Sequence, residues 1–316
     1  MVEPFNSNPA ISLEKLTKVY GQLGHLPVRK VTALSEVSLN VEKGSSVVLV
    51  GPNGAGKTTL IKILLGLVRP TSGSARVCGL SPHLPESRRH IGYVPETVKF
   101  PGFYKAIDVL QTAGELFSLP REELGLRSKQ LLSFCGLEGW EHLEIRRCSK
   151  GMLQKLAFAQ ALINDPDILL LDEPFTGMDV VARKKFAEIV SGAKSKRGRT
   201  IILSTHILSD VVDLCDEVVI LVAGKVHKVL PVVELTRSMA YVVTISGDAN
   251  VSNEDEVEIC GRLFYREGSV LKAQVSGASS LSSFMNCLGK LNISIQSIEP
   301  RSFNFALLFQ HGEEGQ

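Results

Sequence analysis

The sequence predicts an α/β protein built on a parallel sheet covered on both faces, and three observations predict it. Near-continuous aliphatic runs, Ile168 to Leu171, Thr200 to Ser204 and Glu217 to Leu221, alternate with helical stretches between Ser149 and about Leu230 and are bounded by polar turns. The apolar run Ser46 to Val50 passes through a glycine-rich turn straight into a helical stretch, Thr58 to Val68. The period of the apolar residues then changes along the chain, which marks off a β-rich start, a helical middle and a separate tail.

Taken in order, Val37 to Val41, Ser46 to Val50 and Ala75 to Val77 read as strands of the first part, from Ile11 to about Thr97. The helical stretch among them stops at Arg69-Pro70-Thr71-Ser72-Gly73, where proline and glycine cannot continue it. From about Phe100 to Arg147, Ala106 to Leu119 and Ser128 to Cys135 carry apolar residues at three- and four-residue spacing and predict helices. After Pro231, Tyr241 to Ile245, Arg262 to Arg266 and Val270 to Val275 read as strands and Leu281 to Leu291 as a helix, giving a small α+β unit from about Ser238 to Gln316. The main domain is thus expected over Ile11 to Leu230, with a helical subdomain at about 100–147.

Composition removes several classes of function. The 35 Lys+Arg against 33 Asp+Glu leave a net charge of +2, no electrostatic footprint for a dedicated nucleic-acid binder. With 44% hydrophobic and 22% charged residues the chain is too aliphatic to be disordered. Mean hydropathy is +0.13, high enough to require a search for a membrane span, yet no apolar run approaches the roughly 18 residues a spanning helix needs. The excess is expected in buried strands or in a surface that meets another protein. Met1 to Leu16 shows no secretory or import pattern. The six cysteines form no CxxC pair and read as reduced, mostly buried cytosolic thiols rather than disulfides or a zinc site.

Two segments carry chemistry. Gly51-Pro52-Asn53-Gly54-Ala55-Gly56-Lys57-Thr58 matches the phosphate-binding pattern G-x-x-x-x-G-K-[ST] in its required setting between strand and helix, with Thr59 next on the helix. Its glycines let successive backbone N–H groups turn inward on phosphate oxygens, and the helix aims its positive end at the anion. Lys57 is expected to reach the β- and γ-phosphates and Thr58 to give a hydroxyl to Mg²⁺. The second segment, Ile168 to Leu171 followed by Asp172-Glu173-Pro174, ends a buried strand in two acids, where open α/β sheets hold their ligands. Asp172 is expected to partner Mg²⁺ through water, and Glu173 to poise a water for in-line attack on the γ-phosphate. The phosphate motif alone does not separate a kinase, a GTPase and an ATPase.

With these residues in hand the sequence resembles the ATP-binding cassette (ABC) family over roughly Ile11 to Leu230, and the resemblance implies a P-loop ATPase core. Cys148-Ser149-Lys150-Gly151-Met152 stands where the family carries its LSGGQ signature, before the expected helix Leu153 to Ile163. Ser149 and Gly151 match; Cys148, Lys150 and Met152 depart. The resemblance implies that the signature of one cassette closes on ATP held by a second copy. It makes His206, after Thr205, the sensor of the γ-phosphate, and Asp179 of Thr176-Gly177-Met178-Asp179 the retained acid of the D-loop. Tyr20 offers an aromatic face for adenine, followed by what looks like an insertion, Gln22 to Lys30. Glu96, in Ile91-Gly92-Tyr93-Val94-Pro95-Glu96, replaces the usual Gln, whose amide oxygen reaches the metal and the attacking water. A carboxylate accepts in the same way but cannot donate.

Glu96 and the Ser-Lys-Gly-Met signature resemble the exporter subclass whose permeases are separate membrane proteins. The resemblance therefore implies an ATP- and Mg²⁺-dependent ATPase subunit on the cytoplasmic face of a membrane. Its partners would be a second cassette, in a homodimer, and a transmembrane permease; nucleic acid is not among them. Phe100-Pro101-Gly102-Phe103-Tyr104 stands where the family receives a helix of its membrane subunit, and it reads equally as a turn packed on the helical subdomain. Lys194 to Arg199 reads as a solvated helix end and turn. The tail resembles the small dimerising or regulatory extensions of such exporters, only loosely in Asn292 to Phe309. The alternatives are a soluble cassette ATPase acting on ribosomes or DNA, which lacks support from heptads or a Cys₄ site, and a small-molecule kinase, which gives no reason for Ser149-Lys150-Gly151 before Asp172.

Overall fold

The structure, a computed structural model, describes residues 9–21, 30–206, 211–234, 240–246, 256–291 and 293–300. The expected insertion at 22–29, Ser238 at the expected start of the tail unit, and the end of the tail from 301 lie outside them. The chain divides into two compact units, one of Met1–His206 with Asp213–Val229, the other of Ile207–Val212 with Leu230–Gln316.

In the first unit the strands are β1 (Ile11–Gly21), β2 (Lys30–Val41), β3 (Ser46–Val50), β4 (Ser72–Val77), β5 (Ile91–Val94), β6 (Ile168–Asp172), β7 (Thr200–Thr205), β8 (Glu217–Val222) and β9 (Lys225–Pro231). The helices are α1 (Lys57–Leu64), α2 (Pro85–Arg89), α3 (Ala106–Leu116), α4 (Arg121–Phe134), α5 (Lys150–Ala161) and α6 (Val180–Arg197). A six-stranded sheet has the order β5-β6-β7-β3-β8-β9, and the pairs β5/β6, β6/β7, β7/β3 and β3/β8 are parallel. Every residue of β3, β6 and β7 is buried, as aliphatic runs covered on both faces must be. A three-stranded antiparallel sheet, β2-β1-β4, lies beyond α1. Leu60, Ile61, Ile63 and Leu64 of α1 join Ile11, Leu16 and Leu34 of that sheet to Leu49, Leu170 and Val219 of the parallel sheet in one core. Packed between the two sheets, α1 keeps its N-terminus close after the end of β3.

Helices α3, α4 and α5 pack on one another, and Phe158 of α5 meets Phe186 of α6 edge-on, with Phe175 against the same ring. Several element ends differ from expectation. α1 stops at Leu64, because Gly66 turns the chain at φ 70°, and Ser72 and Gly73 already belong to β4. α4 begins at Arg121: Glu122 and Glu123 suit its positive N-terminal turn, and their polarity hid that turn from the apolar pattern. α5 begins at Lys150, three residues early, because Ser149 caps it by accepting a hydrogen bond from the Met152 amide at 3.3 Å. The basic run is only in part a solvated helix end. Gly198 closes α6 at φ 59°, while Arg199 is buried and donates to the carbonyls of Ala193 and Pro166, and Arg197 and Arg199 both pair with Asp165.

The second unit holds a five-stranded antiparallel sheet, β10 (Ala240–Ser246), β11 (Glu256–Ile259), β12 (Arg262–Glu267), β13 (Val270–Ser276) and β14 (Ile295–Pro300), in the order β11-β12-β13-β10-β14. Helix α7 (Ala278–Lys290) supplies Phe284 and Leu288 to a core with Val243, Ile245, Phe264 and Leu271. β11 and β14 were not expected; both are short, and the neighbouring strand rather than their own pattern brings them into the sheet.

The cysteine reading is corrected in this unit. Cys260, in the β11–β12 turn, and Cys287, on α7, form a disulfide with Cα atoms 6.2 Å apart. A separation of 27 residues carries no sequence signal; the sheet and helix bring the pair within bridging distance. Cys78, Cys135, Cys148 and Cys215 are thiols, two of them half-buried. Burial pushes the Cys135 and Cys215 thiols up to about 12, which keeps them unreactive.

Candidate nucleotide site

Parallel pairing decides where the chemistry gathers. Because β5, β6, β7 and β3 run the same way, the residues after them, Glu96, Asp172-Glu173, His206 and the loop from Gly51, emerge at one edge of the sheet. There Glu96, Glu173, His206 and the loop residues Pro52 to Thr59 line a cavity of about 380 Å³ with Val31, Thr32, Ala33 and Thr176, and Asp172 lies next to its Thr58 wall.

The loop needs its glycines. A Cβ at Gly51 would stand 2.2 Å from the Leu221 carbonyl oxygen. Gly56, at φ 104° as the residue before α1, would set one 2.5 Å from the Ala33 carbonyl. The chain therefore lies against β2 and β8 and presents the free N–H groups of the α1 N-terminus to the cavity. Lys57 is 6% exposed; its ammonium donates to the Gly51 carbonyl at 2.6 Å and stands 3.6 Å from Glu173 Oε1. Asp172 is 2% exposed and accepts from Ser204 Oγ at 2.6 Å and Thr58 Oγ1 at 3.4 Å. A hydroxyl and a carboxylate side by side at the loop are the hard oxygen donors that suit Mg²⁺.

Glu173 is held from three directions. Its amide donates to Ser204, its carboxylate faces Lys57 on one oxygen, and His206 Nδ1 meets the other at 2.9 Å. Its backbone sits at φ 45°, a left-handed conformation that costs a non-glycine residue on the order of 1 kcal/mol. Strain at an acid so placed aims its carboxylate into the cavity instead of along the strand.

Other expected residues stand apart from this cavity in the single chain. Ser149 is exposed as the cap of α5, with Gly151 in the first helical turn. Asp179 is exposed and caps α6, accepting from the Ala182 amide at 2.8 Å. Tyr20 is not among the lining residues; Lys18 Nζ lies 4.9 Å from its ring centroid, and its cross-strand neighbour Val31 lines the cavity instead. Ser204, whose hydroxyl donates to Asp172 and accepts from the Glu173 amide, was not singled out in the sequence. Burial first, then Asp172 and Glu96, push the Tyr93 phenol up to about 12, so it stays a neutral hydroxyl beneath the acids.

A loop that cradles anions at a buried helix start, facing two carboxylates across a cavity sized for phosphates, places the chain among the P-loop nucleotide-binding proteins. Residues 34–176 match the family described as ABC transporter. An uncharacterized ABC transporter ATP-binding protein of Synechocystis is 35% identical over 80% of this chain and 74% of its own length. The Nod factor export ATP-binding protein I of Ralstonia nicotianae is 36% identical over 69% of this chain and 66% of its own length. A solved dimeric ATP-binding cassette in a post-hydrolysis state with ADP and Pi is 25% identical, covering 70% of this chain and 98% of that one with a TM-score of 0.63. The chain belongs to the ATP-binding proteins of the ABC transporter family, and it is an ATP-binding ATPase. Among the described residues no helix is long and apolar enough to cross a membrane.

Proposed function

We propose that the protein is the ATPase subunit of an exporter whose membrane permease is a separate chain, working as a homodimer on the cytoplasmic face of the membrane. The observation that carries the catalytic part is the placing of Glu173, strained at a strand end between Lys57 and His206 beside the phosphate loop. In this reading the Gly51 to Thr59 loop binds the ATP phosphates, and Lys57 leaves the Gly51 carbonyl for the β- and γ-phosphates. Thr58, Asp172 and Glu96 would hold Mg²⁺, which neutralises phosphate charge when bound. Glu173 takes the proton of the attacking water, and His206 orients that carboxylate and senses the γ-phosphate. The chemistry rests on positioning and charge.

Dimerisation is supported by an exposed face around the signature and the D-loop. Ser149, Asp179, Val180 (81% exposed) and Val181 stand on it, and the Lys150 ammonium lies over Gly177, so signature and D-loop sit side by side. ATP supplies the phosphates that the exposed start of α5 would bind from the opposite subunit. Export is supported by the likeness to the Nod factor export protein and by Glu96 and the altered signature. Among its described residues the C-terminal unit shows no cluster of phosphate- or metal-binding side chains, and it is read as a dimerising or regulatory module.

The test is co-purification with a polytopic membrane protein from native membranes, followed by ATPase stimulation on reconstitution. A chain recovered only with ribosomes or DNA would overturn the transport reading.

Phe103 is 77% exposed and stacks edge-on against half-buried Tyr104 with centroids 5.1 Å apart, a patch suited to a helix from the permease. The double variant Phe103→Ala, Tyr104→Ala is expected to keep basal ATPase within about twofold, since neither ring lines the nucleotide cavity, and to lose transport. Loss of ATP binding in that variant would return the patch to a purely structural role. For Glu96→Gln, turnover is expected to stay within about threefold, because the amide oxygen accepts as the carboxylate does. A tenfold rise would make Glu96 an attenuator.

A further inference from the structure

Away from the nucleotide cavity, one cluster carries the ligand chemistry of a soft metal. Cys78, His90 and Asp167 each bring a ligand atom to within 4.8 Å of the other two. His90 and Asp167 precede β5 and β6, so they lie at the opposite end of the parallel sheet from Glu96, Asp172 and Glu173, and Cys78 follows β4 in the antiparallel sheet.

All three are set by backbone bonds. The Cys78 amide donates to Ala10 at 2.8 Å, the His90 carbonyl accepts from Ile168 at 2.9 Å, and the Asp167 carbonyl accepts from Thr200 at 2.9 Å. Cys78 is also strained: it takes φ 50° in the tight turn before Gly79, at φ 80°, where glycine or asparagine would be relaxed. His90 Nδ1 and Asp167 Oδ2 already touch. Zinc bonds to sulfur, nitrogen and oxygen of about 2.0–2.3 Å place tetrahedral ligands about 3–4 Å apart, so this pair opens slightly on binding, with the thiol already within 4.8 Å of both.

We propose that Cys78, His90 and Asp167 form a Zn²⁺ site with its fourth position left to water. Thiolate and imidazole select zinc over Mg²⁺, whereas the all-oxygen pair Thr58 and Asp172 does the reverse. Binding expels the Cys78 thiol proton to solvent, and thiolate and carboxylate together neutralise the ion. The ion ties the turn after β4 to the starts of β5 and β6 and so clamps the two sheets together at the end away from the nucleotide.

The full-length protein, with its Cys260–Cys287 disulfide intact and free of nucleotide and Mg²⁺, is titrated with Zn²⁺ against a chromophoric chelator and with Co²⁺ by absorption. One Zn²⁺ per chain is expected, with a thiolate-to-cobalt charge-transfer band and a Tm raised by Zn²⁺. Cys78→Ser and His90→Ala should each weaken Zn²⁺ at least tenfold, Cys78→Ser should remove the band, and retained Mg²⁺-ATPase activity shows that both variants fold. The proposal fails if wild type binds no Zn²⁺ saturably, or if both variants bind it as wild type does. A cobalt spectrum that does not depend on Cys78 would also overturn it.

Discussion

Glu173→Gln is expected to lower ATP turnover about a hundred- to ten-thousand-fold, the usual contribution of a positioned general base, while ATP binding survives. The amide is isosteric and keeps an oxygen for Lys57, 3.6 Å away, so loop and cavity retain their shape. It cannot take a proton from water. In the two-copy reading the dimer that ATP would assemble then has no route back, and the variant is expected to accumulate as an ATP-bound dimer on size exclusion with light scattering. Turnover equal to wild type would remove Glu173 from its role, and a variant that is monomeric with ATP would remove the two-copy reading while leaving the base in place.

Lys57→Met is expected to lower ATP affinity at least a hundredfold, because one buried cation meets the phosphates and methionine fills its space without charge. It also exposes an interaction in the nucleotide-free state. Glu173, about nine-tenths buried, would keep only His206, and the free chain should lose about 3 kcal/mol of stability, as when one partner of a buried pair is deleted. Adding Glu173→Gln to Lys57→Met removes the stranded charge and should recover most of that loss without restoring ATP binding. Additive effects in this double-mutant cycle, read from denaturant melts, would show that the 3.6 Å pair carries no coupling.

The phosphate loop was legible because its signal is local: glycines, lysine and threonine at set spacing between an apolar strand and a helix. Asp172 and Glu173 were legible for a related reason, since two acids ending an all-aliphatic strand have few other uses. Ser149 and Asp179 were found by resemblance, and the structure adds a task visible in the single chain, capping α5 and α6. Ser204 was missed because its importance lies in its register beside Asp172, a fact about two strands 32 residues apart. Strands β11 and β14 were missed because edge strands of a small sheet alternate too briefly to stand out.

By itself the sequence determined the α/β class and the nucleotide chemistry and singled out the acids, because each rests on residue types within a few positions of one another. Tertiary structure alone decided that Lys57, Glu173 and His206 share one contact set, that Cys260 and Cys287 are bonded, and that Cys78 stands beside His90 and Asp167. Those facts depend on which strands are neighbours and in what register. Pairing across long stretches of chain is set by how the whole core packs, and no short window of sequence contains it.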